Sequence, residues 1–377
     1  MEKCNNTEKD IAYLILEDGT VYKGKGFGVK GTAVGEVVFT TGMTGYQETL
    51  TDPSYFGQIV TQTFPLIGNY GVNDNDSESA KSWVKGYIVR EWCEEPSNFR
   101  SKYTIDEFLK KNNIIGIYDI DTRALTKKIR EHGVMNGAIT TELPENMDAF
   151  LKELSSYTIQ DAVKSVSCTE KTFYPALKQE FHVVLYDYGF KANIMCSLLK
   201  KGCSVTVVPY NTTLQEILEI KPDGIMLSNG PGDPAENTAP IKILKELMIS
   251  GIPIFGICLG HQLLALANGA KTEKLKYGHR GANQPVADKK RDRVFITSQN
   301  HGYAVVGETL DPKVGYVSHS NVNDRSCEGI TYANGNAFTV QFHPEACAGP
   351  QDTQYLFDIF IQMMFQQSKG GGQHAIK

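Results

Sequence analysis

The chain has no C-x-x-C pair and no close grouping of cysteines. Its eight stand at positions 4, 93, 168, 196, 203, 258, 327 and 347 of 377 residues. That spacing excludes a disulfide-stapled miniprotein and a zinc-ribbon site, and reads as free cytosolic thiols. No block of one charge sign dominates either: 38 basic against 43 acidic residues give a net charge of −5. An electrostatic footprint for nucleic acid or an anionic membrane is therefore missing, and small molecules or another protein are the expected partners. The first ten residues, Met1 to Asp10, are polar and lack the apolar core of a signal peptide, so the expected location is the cytoplasm. Gly251 to Ala270 runs without Asp, Glu, Lys or Arg but is interrupted by Pro253, His261, Gln262 and Asn268. It divides better into a buried strand and a helix than into a membrane span. There is no internal repeat at solenoid spacing.

What is present is an ordinary globular composition, 41% hydrophobic and 21% charged, on a chain long enough for two domains. From Phe181 onward short apolar runs alternate with helical patterns. Strands are expected at Phe181–Tyr186, Cys203–Pro209, Gly224–Ser228 and Ile252–Ile257, and helices at Lys191–Lys201, Thr213–Ile220 and Ala239–Ser250. Such alternation implies a parallel sheet covered on both faces, with ligands bound outside the carboxyl ends of its strands. The first 170 residues read differently. They carry β-type segments at Ala12–Leu16 and Val34–Thr40, a turn signal at Glu17-Asp18-Gly19, and a helix at Ile105–Lys111. The join is placed near Glu170 to Gln179, where the pattern lapses, and the Gly-rich end from Gln367 is read as frayed.

Two phosphate-loop look-alikes fail on context. Gly19 to Lys25 fits most of G-x-x-x-x-G-K, but Gly26 stands where a hydroxyl should hold magnesium, so a hairpin is expected. Gly26 to Gly31 fits G-x-G-x-x-G, yet the residues after it are β-patterned, leaving no helix terminus for a pyrophosphate. The stronger signal is Gly256-Ile257-Cys258-Leu259-Gly260, set between a buried strand and the helical run from His261 to Leu266. It has the form of a nucleophile elbow with sulfur for oxygen: glycines permit a sharp turn, and a helix dipole favours the thiolate. The run His343-Pro344-Glu345 supplies a base and a group to orient it. Read as an extended segment, it sets residues two apart on one side. H-x-E as a zinc deaminase signature fails for want of P-C-x-x-C. A third element, Ser228-Asn229-Gly230-Pro231-Gly232-Asp233-Pro234, ends a strand with glycines that let backbone N–H groups approach a developing oxyanion. On residues alone a thiolate enzyme that takes up and releases an acyl group, such as a cysteine peptidase or other hydrolase on an α/β scaffold, and a non-catalytic scaffold both remain open.

Together these motifs resemble class I (triad) glutamine amidotransferases. The first domain narrows the resemblance. Val34-Gly35-Glu36-Val37-Val38-Phe39, Thr44-Gly45-Tyr46-Gln47-Glu48, Thr51-Asp52-Pro53-Ser54-Tyr55 and Gly68-Asn69-Tyr70-Gly71 are similar to the small, glutamine-hydrolysing subunits of carbamoyl phosphate synthetases. The resemblance implies an α/β protein. A β-rich small-subunit domain spans residues 1–170 and a linker 171–180. A doubly wound, flavodoxin-like amidotransferase domain follows at 181–367, with a disordered tail at 368–377. It implies Cys258, His343 and Glu345 as the triad, with N–H groups of Gly230 and Leu259 at the oxyanion. Glutamine would be bound by Ser54, Gly230, Gly232, Leu259, Gln262, Asn300, Gly302 and Tyr303, the last in place of the family's usual phenylalanine. It further implies a large-subunit partner that receives ammonia through a tunnel and makes carbamoyl phosphate for arginine or pyrimidine synthesis. ATP and magnesium would be bound by that partner, with no cofactor in this chain.

Overall fold

The computed structural model describes residues 11–346 and 348–370. The polar first ten residues, Cys4, Cys347 and the end of the tail from 371 lie outside the described residues. By internal contacts the chain forms two compact units, residues 1–160 and 161–377.

The first unit runs β1 (Ile11–Leu16), β2 (Val21–Gly28), β3 (Thr32–Thr40), α1 (Tyr46–Thr51), β4 (Gln58–Gln62), β5 (Leu66–Ile67), β6 (Gly86–Ile88), β7 (Glu91–Trp92), α2 (Ile105–Lys111), β8 (Ile115–Tyr118), α3 (Thr122–His132), β9 (Met135–Thr140) and α4 (Met147–Ser156). Seven strands close into a barrel in the order β1-β2-β8-β6-β4-β3-β9. The turn read at Glu17-Asp18-Gly19 is a hairpin: Gly19 has φ +83°, Leu16 N–H donates to the Thr20 carbonyl at 2.9 Å, and Ile15 pairs with Val21. The first phosphate-loop look-alike runs from the β1–β2 turn into β2, and the second from β2 into its connection with β3; a strand and not a helix follows in each case. Closure of the barrel is not legible in the sequence, because it depends on β9 pairing with both β1 and β3 across the length of the unit. Helix α2 starts at a capping box in which Thr104 and Glu107 exchange side-chain and backbone bonds.

The second unit runs α5 (Ala162–Val166), β10 (Thr172–Tyr174), β11 (Phe181–Asp187), α6 (Ala192–Lys200), β12 (Cys203–Pro209), α7 (Leu214–Ile220), β13 (Gly224–Leu227), α8 (Thr238–Leu247), β14 (Ile254–Ile257), α9 (Leu259–Ala267), β15 (Lys271–Asp288), β16 (Arg293–Val306), β17 (Gly315–Asn321), β18 (Cys327–Tyr332), β19 (Ala337–Val340) and α10 (Tyr355–Gly370). The stretch where the sequence pattern lapses thus carries β10, which pairs antiparallel with β12. The last helix, expected to end near Gln366, continues to Gly370, which corrects the tail boundary for residues 368–370.

The sheet order β10-β12-β11-β13-β14-β19-β18-β16-β15-β17 contains a parallel block, β12-β11-β13-β14-β19. Numbered from the first parallel strand this is 2-1-3-4-5, the doubly wound order expected, with its switch point between β11 and β13. Besides β10, the remainder is an antiparallel extension, β15 to β18, which comes in sequence between the fourth and fifth parallel strands and continues the sheet beyond β19. Alternation along β11 builds two cores: Val184 and Tyr186 pack with Leu244, Leu247 and Leu263 on one face, Val183 and Leu185 with Ile194, Leu198 and Phe360 on the other. Gly251 to Ala270 divides into β14 and α9, and among the described residues no helix is long and apolar enough to cross a membrane.

Phe255 anchors β14 in the second of these cores. It is fully buried, stacked on Phe338 at 4.4 Å between centroids and edge-on to Phe357 at 5.6 Å. Phe255→Ala removes that ring from a packed site and is expected to cost about 3–5 kcal/mol, read as a lower urea midpoint at unchanged m-value.

Candidate active site

The elbow begins with β14, which is hydrogen-bonded to β13 on one side and β19 on the other, so its last residue, Ile257, lies opposite Val340. Cys258 follows, its N–H donating to the Val340 carbonyl at 2.9 Å, and takes φ +53°, ψ −104°. A side chain with a Cβ in that region carries strain, which persists only where the surroundings over-determine it. The strain therefore sits on the cysteine. The flanking glycines serve close approach instead of the turn: a Cβ on Gly256 would meet Thr339 Cγ2 at 2.8 Å, and one on Gly260 the Leu227 carbonyl oxygen at 2.5 Å. Gly260 N–H donates to the Ser228 carbonyl at 3.0 Å, which locks the first turn of α9 to the end of β13. Cys258 occupies the N-cap of α9, where the helix dipole favours negative charge. It is 2% exposed, and its Sγ lies 3.8 Å from the Asn300 carbonyl oxygen.

The His-Pro-Glu run follows β19. It is a turn and not the extended segment expected: Ala346 N–H donates to the His343 carbonyl at 3.3 Å around Pro344. The turn still brings the two side chains together, His343 Nδ1 lying 2.6 Å from Glu345 Oε1. Because a carboxylate only accepts, Nδ1 carries the hydrogen and Nε2 presents its lone pair. Nε2 has no hydrogen-bond partner among the described residues. The backbone at this position is held by the main-chain N–H of His343, which donates to the Ser298 carbonyl at 2.9 Å. Glu345 is fully buried, and Lys191 Nζ reaches the same Oε1 at 2.9 Å. Burial opposes ionisation of Glu345, but the Lys191 ammonium and the His343 ring outweigh it and hold the carboxyl at about 2.

The loops after β11 and β13 are laced together at the switch point. Tyr188 N–H donates to Ser228 Oγ at 3.0 Å, Lys191 N–H to Asn229 Oδ1 at 3.0 Å, and Asn229 Nδ2 to the Gly189 carbonyl at 2.9 Å. Gly230 is thereby pressed against α9, since a Cβ there would meet Tyr188 O at 2.2 Å and Leu259 Cδ2 at 2.7 Å. Gly232 has φ +85° and faces Ala162. Gln262 donates from Nε2 to the Tyr303 carbonyl at 2.7 Å and to Gln341 Oε1 at 2.9 Å, so its amide nitrogen ties α9 to β16. Tyr303 contributes to this through its backbone. Gly302 lies beside Arg280, whose Nη2 would be 3.2 Å from an added Cβ. Ser54 belongs to the first unit, buried in a one-turn helix, Pro53–Tyr55, with its N–H donated to Asp52 Oδ1 at 2.8 Å.

Residues 14–139 match the family described as carbamoyl-phosphate synthase small chain, CPSase domain, and residues 184–363 match glutamine amidotransferase class-I. A carbamoyl phosphate synthase small chain of Fusobacterium nucleatum subsp. nucleatum is 54% identical over 349 residues, 93% of this chain and 97% of that one. A Bacillus cereus small chain is 52% identical over 362 residues, 95% and 97% of the two chains. The chain belongs to the carbamoyl-phosphate synthase small-chain family. A further member, from Bacillus subtilis, is named the pyrimidine-specific small chain and is 50% identical over 359 residues, 95% and 97% of the two.

In this small chain the sequence reading missed Lys191. Its signal was available in position: it closes the loop Asp187-Tyr188-Gly189-Phe190-Lys191 directly after the first parallel strand, where doubly wound sheets bind ligands. Lysine is rarely buried without a partner, and here the partner is the triad carboxylate.

Two measurements check this geometry. Lys191→Met leaves a buried carboxylate uncompensated and is expected to destabilise the fold by about 3–5 kcal/mol in urea unfolding, with the Glu345 pKa moving up. His261, fully buried with Nδ1 2.8 Å from Thr339 Oγ1, is held down to about 3 by burial and by nearby His319. The unfolded chain binds that proton near 6.5 and the native state does not, so stability is complete above about 6.5 and falls as pH drops toward 3. His261→Gln should flatten this acid limb by up to about 1.4 kcal/mol per pH unit.

Proposed function

We propose that Cys258, His343 and Glu345 hydrolyse L-glutamine for a large synthetase subunit, with Lys191 holding Glu345. The reading is carried by one observation: the chain from Lys191 through Glu345 to His343 ends on a ring nitrogen without a hydrogen-bond partner among the described residues, in the turn after the strand that adjoins the one leading into the strained cysteine. Cys258 Sγ attacks the side-chain amide carbon of glutamine, and its proton passes to His343 Nε2. The N–H groups of Gly230 and Leu259 receive the oxyanion. His343 then protonates the amide nitrogen, the C–N bond breaks, and ammonia leaves. Water adds to the γ-glutamyl thioester with His343 as base, the C–S bond breaks, and the thiol recovers its proton as glutamate departs. Glu345 keeps the imidazole in the tautomer that can accept at Nε2, and stabilises it when charged.

Gln262, Asn300, Gly302, Tyr303 and Gly232 complete the glutamine site of the second unit in this reading. The ammonia is passed to the large subunit through a protein tunnel. That route makes chemical sense, because near neutral pH free ammonia becomes ammonium, which is no nucleophile. The large subunit binds ATP and magnesium and forms carbamoyl phosphate for arginine or pyrimidine synthesis, and glutamine hydrolysis in this chain uses no cofactor. A cytoplasmic setting fits Cys93, Cys168, Cys196, Cys203, Cys258 and Cys327 standing outside any disulfide.

Cys258→Ser tests the assignment in the assembled enzyme. Glutamine-dependent carbamoyl phosphate synthesis should fall by about 10³-fold or more while synthesis from added ammonium persists. Retained glutamine turnover, or hydrolysis of peptide or ester substrates by the parent chain without response to glutamine, would sink it.

A further inference from the structure

The antiparallel extension of the second unit holds another buried polar cluster. β15 contributes His279, β16 contributes Gln299 and His301, and β18 contributes Glu328, with His279 directly opposite His301 in the ladder. His279 is 8% exposed, His301 5% and Glu328 not at all. One ligating atom from each of these three lies within 4.8 Å of the other two.

Each imidazole has one nitrogen committed outward. His279 Nε2 is 2.7 Å from Asp324 Oδ2, and His301 Nδ1 is 2.7 Å from the Tyr303 carbonyl oxygen. Both partners only accept, so those nitrogens carry the hydrogens, and in neutral rings His279 Nδ1 and His301 Nε2 are bare lone pairs. Both lone pairs face acceptors. His279 Nδ1 is buried without a hydrogen-bond partner, 3.5 Å from Glu328 Oε1, and His301 Nε2 is 3.0 Å from Gln299 Oε1. Turning the Gln299 amide over does not resolve this. Its Nε2 now donates to Glu328 Oε2 at 3.0 Å, and the turned amide would set its oxygen against that carboxylate instead. With both rings neutral, two lone pairs, an amide oxygen and a buried carboxylate converge. Against the cost of burial, Glu328, which also accepts from Asn321 Nδ2 at 3.3 Å, and Asp324 favour positive charge at His279, the charge a bound cation would supply instead of a proton.

We propose that this cluster binds a divalent first-row metal ion of the zinc class. His279 Nδ1, His301 Nε2 and the Glu328 carboxylate are its ligands, and Asp324 and the Tyr303 carbonyl are the outer partners that orient the two rings. Two imidazoles and one carboxylate suit zinc, cobalt or nickel, whereas magnesium and calcium prefer all-oxygen sites. Metal–ligand bonds of about 2.0–2.2 Å place tetrahedral ligands roughly 3.3 Å apart, so the atoms must close by at most about 1.5 Å. An outer acceptor on each ligating histidine is the arrangement that fixes tautomer and ring direction in metal sites. The bound ion ties β15, β16 and β18 together at the strand that carries Asn300 and Tyr303. The site adjoins the glutamine site through the Tyr303 carbonyl, which also accepts from Gln262, but the ion takes no part in the bond-making at Cys258.

The test is titration of the full chain, stripped with chelator, with Co²⁺ followed by absorbance, and displacement by Zn²⁺. The expected result is one equivalent bound with visible d–d bands and no near-ultraviolet thiolate band, unchanged in Cys258→Ser and lost in His279→Ala and Glu328→Gln. Asp324 has a side chain 45% exposed, so Asp324→Asn is a variant that disturbs packing little; it should weaken binding about 10- to 100-fold and decides the matter if the other two do not fold. The proposal is overturned if the folded parent chain binds no stoichiometric cobalt, if binding disappears with Cys258→Ser, or if Asp324→Asn and Glu328→Gln bind as the parent does.

Discussion

The double pairing of β14 is the constraint on which the second unit depends. A strand bonded on both edges cannot slide, because a one-residue shift would move every side chain to the opposite face. Fixing β14 fixes where its chain must leave the sheet, and the close contacts of Gly256 and Gly260 leave Cys258 as the residue that bears the unfavourable dihedral. The neighbouring strand β19 then delivers the His-Pro-Glu turn. Nucleophile and base come from sequence positions far apart, but from adjacent strand ends, so their relation is set by backbone hydrogen bonds and not by flexible loops.

Buried charge is the second theme. Lys191, Glu345 and His343 form one line with almost no water around it, where an isolated ion would be strongly disfavoured. The lysine neutralises the carboxylate, and Glu345 in turn orders the imidazole. A hydrophobic residue at 191 would simplify packing, yet would leave the carboxylate alone in a low dielectric. The arrangement sacrifices ease of folding for a base of defined tautomer.

The alternation of strand and helix after Phe181 was readable because buried parallel strands give continuous apolar runs bounded by turn residues, and each expected strand has its counterpart in β11 to β14. The elbow was readable because its chemistry requires particular residues at fixed spacing. What escaped is long-range or depends on side-chain partnership. The β15–β18 extension has long strands of irregular register without clean alternation, and several of its polar residues, among them His279, Gln299, His301 and Glu328, are buried instead of facing water. Pairing of His343 with Glu345 was anticipated for the wrong reason, extended geometry, whereas Pro344 sets a turn that achieves it. Lys191 looks like any helix-flanking lysine until the fold shows what lies opposite.

The barrel of the first unit imposes an order on synthesis. Its closing strand, β9, is the last of the seven in sequence and the partner of both β1 and β3. While the nascent chain is shorter than Thr140, the two earlier strands present unpaired backbone edges, the kind of surface that recruits strands from other molecules. Fragments cut before that point should therefore be sticky, whereas a chain that includes it can seal its own rim.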